Sequence, residues 1–162
     1  MAVERHGAVR TALVENDSIN VLSPVIHRFV GKNSHLMTDQ LHAYKKIGRR
    51  YASHQYVNHR NKEYARGEVH NNTAESFNAI VERAKYGVFH FWSKDHLKRY
   101  LHEFEFRWNH RVPKLKKTKK GKLKLVMEQM PVISMIRSLL SKAAGKQVRR
   151  TANGGITVFN SA

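Results

Sequence analysis

The clearest periodicity in the chain begins at Thr73, where Phe77, Ile80, Val81 and Ala84 recur at helical spacing with Gly87 behind them. A long helix is predicted there. A second follows from about Ser93, a good N-cap, to about His110, with Leu97, Tyr100, Leu101, Phe104 and Trp108 on its apolar stripe and Pro113 ending it. Further back, Leu22, Val25, Ile26, Phe29 and Val30 describe a short amphipathic helix with Ser23-Pro24 near its start. Between these lie shorter patterns. Ala8–Val14 alternates after a turn at His6-Gly7 and runs to Asn16-Asp17, which predicts a hairpin strand. His35–Thr38 fits a buried strand, and Leu41, Tyr44 and Ile47 fit a helix stopping at Gly48. Residues 51–58 fit another strand and Asn61–Gly67 a polar loop. Val126, Met130, Ile133, Ile136, Leu139 and Leu140 predict a last helix, interrupted or restarted at Pro131, before a frayed end containing Asn153-Gly154-Gly155. There are no internal repeats. The picture is an α/β domain followed by a mostly helical C-terminal portion.

Charge changes that picture. The 162 residues carry 30 Lys and Arg against 12 Asp and Glu, a formal +18, with 41% hydrophobic residues, so the charge decorates a foldable chain. A net of +4 lies up to Val81 and +14 beyond it. Such a field attracts polyanions, of which nucleic acid is the commonest inside cells. Lys114–Lys124 is a block of like charge expected to stay extended, either as a solvated tail or as a DNA-binding arm. The absence of cysteine excludes a disulfide framework, a thiolate zinc site and a cysteine nucleophile. Short apolar runs and an N-terminus without a signal-peptide layout lead to the expectation of a soluble, intracellular protein with no membrane partner; the expected place is cytoplasmic, at the bacterial nucleoid, and no small-molecule substrate is expected.

Scarce acids draw attention to their positions. Asp39 follows the strand His35–Thr38 and opens the next helix, where a carboxylate either caps the helix or projects from the carboxyl edge of a sheet into a site. Glu75, three residues after Asn72, makes Asn72-Thr73-Ala74-Glu75 close to a capping box. Singly, each reads as a cap. Together, in a basic protein, they suggest carboxylates that hold Mg²⁺ for phosphodiester chemistry. The histidines lack zinc-motif spacing; His70, placed in the loop before Glu75, is the one that could touch a phosphate or a metal-bound water. Phe104, Phe106 and Trp108 fit a packed helix face better than a base-stacking stripe.

The runs His70-Asn71-Asn72-Thr73-Ala74-Glu75-Ser76-Phe77, Arg83-Ala84-Lys85-Tyr86-Gly87 and His96–Arg111 resemble insertion-sequence DDE-type transposases with an ISXO-like transposase domain. Thr38-Asp39-Gln40 with Ala43-Tyr44 and the run Tyr56-Val57-Asn58-His59 extend the resemblance, which covers about Val3 to Arg111. It implies a ribonuclease H-like, DDE integrase-type mixed sheet with flanking helices in a domain of residues 1–111, followed by a basic, partly helical extension over 112–162. It also implies a two-ion Mg²⁺ or Mn²⁺ site with Asp39 and Glu75 as the second and third acids and Asn72 as helper or alternative ligand. DNA, as transposon ends and target, is the implied partner, bound by a homo-oligomer. The expected phosphate contacts are His70, Arg83, Lys85, Lys98, Arg99, Arg107 and Arg111, joined by Lys116, Lys117, Lys119 and Lys120 of the basic block.

Departures shape the functional expectation. The family's first acid lies on a strand that would precede Met1-Ala2-Val3-Glu4-Arg5, so the first strand and first Asp are expected to be missing; Asp17 sits in a turn-forming context. Glu82 stands where the family has a basic residue, with Arg83 adjacent, and the family's N-terminal DNA-recognition region is also expected to be missing. The expectation is a truncated transposase that binds DNA but is inactive alone. The alternatives are a non-enzymatic basic nucleic-acid-binding protein and a complete nuclease with its extra acid from Glu4 or Asp17.

Overall fold

A computed structural model describes residues 1–57, 65–67, 69–150 and 156–160. The chain divides into two compact units, Met1–Asn109 and His110–Ala162.

The first unit is mixed α/β with its described strands paired in twos. β1 (Ala2–Val3) and β2 (Val9–Arg10) form an antiparallel hairpin in which Val3 faces Val9. The predicted alternation to Val14 therefore pairs only as far as Arg10. α1 (Ile19–Phe29) carries Pro24 inside it. β3 (His35–Thr38) and β4 (Ser53–Tyr56) are parallel, joined through α2 (His42–Gly48). A crossover helix is what a parallel pair requires. The predicted strand over 51–58 is thus shorter, and Asn58 lies outside the described residues. In the expected loop Asn61–Gly67, Ala65–Arg66 instead forms β5 and pairs with β6 (Val69–His70) around Gly67, whose φ of +58° suits glycine; Asn61 to Tyr64 lie outside the described residues.

α3 (Asn72–Ala84) widens into a π-helical turn over Lys85–Phe89, and α4 (Leu97–Asn109) is preceded by a 3₁₀ turn, Lys94–His96, after Ser93. α4 ends at Asn109, before Pro113 can act. At that end the Asn109 side chain bonds the backbone of Val9, a hundred residues away in sequence.

Among the described residues, two buried clusters hold this unit. Leu22, Ala43, Ile47 and Tyr51 join α1 and α2 against Leu36 of β3. Val9, Phe77, Phe104 and Trp108 join the hairpin to α3 and α4. Phe77 meets Trp108 edge-to-face, with centroids 5.4 Å apart. Phe104 and Trp108 are buried, as a packed face demands.

Among its described residues the second unit has two antiparallel strand pairs and a helix. β7 (Arg111–Lys117) pairs antiparallel with β8 (Leu123–Gln129), so the basic block is a hairpin. Gly121, at φ +78°, closes the turn by donating its amide to the Thr118 carbonyl at 2.9 Å. Lys116 lies opposite Lys124, yet Glu128 bonds both Lys116 and Lys114, which offsets the cross-strand repulsion. Pro113 is accommodated inside β7 because each strand of a two-stranded ribbon has a free edge. Val126 lies on β8 and not on a helix; the helical pattern belongs only to α5 (Val132–Ala143), which starts after Pro131. β9 (Lys146–Arg150) pairs with β10 (Ile156–Asn160) where a frayed end was expected; Asn153, Gly154 and Gly155 lie outside the described residues.

Candidate functional site

Asp39 is exposed and immediately follows β3. Its Oδ1 accepts the Leu41 amide at 3.1 Å. Since Leu41 is the residue that flanks α2, Asp39 orders the approach to the helix without being its N-cap. Thr38 donates its hydroxyl proton to the Asp39 carbonyl at 2.7 Å, so its 2.9 Å bond to His54 is donated by Nε2–H of the imidazole. His54 itself stands against Gly48: a Cβ there would fall inside van der Waals contact with the His54 ring and Cβ. Thus the end of α2, β4 and the backbone bearing Asp39 are locked by three small contacts. Burial pushes the His54 imidazole below its ordinary range.

Tyr44, in the first turn of α2, reads the electrostatics of this corner. Burial raises its phenol, and the carboxylates of Asp39 and then Asp17 raise it further. Both acids therefore act on one ring, a juxtaposition that sequence spacing did not reveal.

β6 lies beside both β3 and β4, which carries the start of α3 toward the same small sheet region. His70 sits on β6, not in a loop, and its Nδ1 is buried with no hydrogen-bond partner among the described residues. The N-cap of α3 is Asn71, whose carbonyl receives the Glu75 amide at 3.1 Å; the expected box from Asn72 does not form. Asn72 is the first helical residue, and its carbonyl accepts the Ser76 hydroxyl. Glu75 is exposed on the first turn, where a negative charge is favoured by the helix dipole.

Among the described residues, no three His, Asp or Glu side chains come together as a metal-binding group. Glu4 turns its carboxylate over Gly7, and neither it nor Asp17 completes such a group. A two-ion site needs more ligands than Asp39 and Glu75 supply, so the described donor set does not fit a metal pair.

The basic residues divide by availability. In the first unit, Arg83 on the last turn of α3, Lys85 on the π-helical turn beyond that helix, and Lys98 and Arg99 on the first turn of α4 are exposed. Arg83 borders a shallow concavity of about 510 Å³ with Ala79, Glu82, Tyr86 and Gly87. Arg107 is engaged by Glu103 one turn back, at 2.8 and 3.0 Å.

In the second unit, 13 Lys and Arg stand against the single Glu128. Lys119 and Lys120 occupy the exposed hairpin turn and Lys117 the strand end beside it, whereas Lys116 is paired with Glu128. The Lys116 and then Lys114 ammonium groups hold the Glu128 carboxyl below the usual range. Partial burial lowers Arg111 from its ordinary value. No helix among the described residues is long and apolar enough to cross a membrane.

A family model described as the ISXO2-like transposase domain matches residues 1–109. No curated protein and no solved structure matches the chain.

Proposed function

We propose, from the premise that this chain belongs to the family of ISXO2-like transposase domains, that it is the DNA-handling part of a DDE-type transposition machinery. On this reading the first unit is a ribonuclease H-like catalytic layout, supported by the parallel β3–α2–β4 unit with Asp39 at its strand end. Asp39 and Glu75 are two of its acids, with Asn72 and His70 at the same helix start. Phosphodiester cleavage and strand transfer need a further carboxylate, so the chain alone binds DNA without joining ends. Its partners are transposon ends and target DNA, on which several copies assemble.

The observation that carries DNA binding is the exposed lysine turn of the second unit, Lys117, Lys119 and Lys120, within a segment of net charge +12. Phosphate binding by such groups releases condensed counterions, so affinity falls steeply with salt. Anisotropy titration of a labelled duplex from 50 to 200 mM salt is expected to show a loss of roughly a thousandfold or more, as for proteins touching six or more phosphates. Absence of binding at the lowest salt, or a flat salt response, would overturn the proposal.

A non-enzymatic nucleic-acid-binding protein is the second reading, favoured by the engagement of Asp39 with the Leu41 amide. Mn²⁺ titration followed by NMR line broadening separates the two. Broadening around Asp39 and Glu75 that disappears in both Asp39→Asn and Glu75→Gln supports the transposase site; broadening unaffected by them supports the binding module.

A further inference from the structure

The segment between α3 and α4 displays some rings and buries others. Phe89 packs on Tyr100 with centroids 4.8 Å apart, and Trp92 stacks on the same ring at 5.5 Å and 11°. These two anchor the segment in the cluster of Phe77, Phe104 and Trp108. Tyr86, Val88 and Phe91, by contrast, are 72%, 68% and 77% exposed.

The backbone enforces this display. His90 has φ +54° and ψ −40°, and the Phe91 amide donates to the Phe89 carbonyl at 2.5 Å, a tight turn of the rarer hand on a non-glycine residue. Such a conformation is costly and persists where surrounding packing over-determines it. Next to it, the Trp92 indole nitrogen and the Ser93 hydroxyl are buried and find no hydrogen-bond partner among the described residues. An ordinary surface loop has no reason to combine a strained turn, two buried polar groups and two outward rings.

Charge identifies the occupant. Arg83, Lys85, Lys94, Lys98 and Arg99 lie on or beside this segment, against Glu82 and Asp95. The Lys85 ammonium stands 5.4 Å from the Tyr86 centroid, placing a phosphate-seeking group beside a ring that is itself open to stacking. Flat rings interleaved with cations suit a strand whose bases are unpaired; the faces of paired bases in an intact duplex are covered by their neighbours.

We infer that Tyr86 and Phe91 form a stacking element for unpaired bases at an opened DNA end, with Arg83 and Lys85 on the adjoining phosphates. This rests on the DNA-binding reading above and adds to it a preference for single-stranded flanks.

The test uses the full chain, a blunt duplex, and the same duplex extended by a short single-stranded overhang carrying 2-aminopurine. The expected result is tighter binding of the overhang, with quenched 2-aminopurine emission. Tyr86→Ala combined with Phe91→Ala should lower affinity for the overhang by roughly tenfold or more while leaving the blunt duplex unchanged. Phe91→Leu, which keeps an apolar side chain but no ring, should also weaken the overhang preference. Far-ultraviolet dichroism checks that each variant is folded.

If wild type binds both DNAs equally, or the folded variants keep the wild-type preference, the stacking inference falls while DNA binding stands. If wild type binds neither DNA, the DNA-binding reading falls and takes the inference with it. A change of sedimentation in the variants with no change in overhang preference would assign the rings to a protein contact and overturn the inference.

Discussion

Asn109 pairs with the backbone of Val9 as a neighbouring strand would: its Oδ1 receives the Val9 amide at 2.7 Å, and its Nδ2 donates to the Val9 carbonyl at 3.0 Å. Val9 is fully buried, so both main-chain groups depend on this one carboxamide for satisfaction. Nearby, Glu105 of α4 bonds the Arg10 guanidinium at 3.1 Å and the Thr11 hydroxyl at 2.9 Å, reinforcing the attachment of the hairpin to the helix.

Asn109→Ala leaves a buried donor and acceptor unpaired and is expected to cost about 1–3 kcal/mol per group left unsatisfied. Asn109→Asp keeps the acceptor for the Val9 amide but sets a carboxylate oxygen against the Val9 carbonyl, so it should be destabilised at least as much as alanine. Urea unfolding followed by tryptophan fluorescence measures both.

Gly48→Ala should stabilise α2 by roughly 1 kcal/mol on helix propensity alone. Its methyl group would instead strike His54, and overpacking of this kind costs about 1–3 kcal/mol. The variant is therefore expected to be net destabilised. A double-mutant cycle with His54→Ala isolates the clash: alanine at position 48 should be better tolerated once the ring is gone.

Glu128 holds Lys114 and Lys116 in ion pairs, which DNA bound as proposed would have to displace. Glu128→Gln frees both lysines and is expected to raise DNA affinity and steepen the salt dependence. Lys119→Ala combined with Lys120→Ala should flatten the slope of log K against log salt by about 0.9 for each phosphate that is no longer neutralised. The pH response has the same origin. The folded carboxyl titrates below its unfolded value, so its stabilising pairs are complete above the ordinary glutamate range and are lost as pH falls through the depressed folded value. Unfolding curves of wild type and Glu128→Gln should converge on acidification.

His54 gives a second pH signature at higher pH. Its folded imidazole is held below the ordinary range, so the unfolded chain takes up the proton first. The His54 contribution to stability is complete above about pH 6.5, the unfolded value, and declines as pH falls through and below it. Comparing denaturation midpoints of wild type and His54→Gln from pH 8 to pH 5 should show a shallower decline in the variant.

The sequence made the helices and the parallel unit legible because their apolar spacings are local. Phe77 to Ala84 and Leu97 to Trp108 each describe one face, His35–Thr38 is the expected strand, Tyr44 and Ile47 lie on the expected helix with Leu41 flanking it, and the strand expected over 51–58 pairs over Ser53–Tyr56. The basic block was not legible as a hairpin, because like charges argue against pairing unless Glu128, Leu115 opposite Leu125 and the Gly121 turn are considered together. At the candidate site, Asp39 and Glu75 stand on the expected strand end and helix turn. The Asn71 cap, however, differs from the expected one by a single residue, a difference decided by backbone angles. The shared action of Asp17 and Asp39 on Tyr44, and the Asn109 bond to Val9, join positions that no local pattern connects.

That last bond also sets an order in time. Val9 leaves the ribosome 100 residues ahead of its partner Asn109, and the Gly7 carbonyl waits as long for the Trp108 indole that donates to it. Until α4 emerges, the nascent hairpin stands with Val9 unshielded and its main-chain groups bonded only to water. Closing so long a loop is a slow, non-local step that helix formation alone cannot accomplish. The first unit therefore reaches its native state only after its own final helix has been synthesised, and a ribosome stalled before that point holds an exposed apolar hairpin.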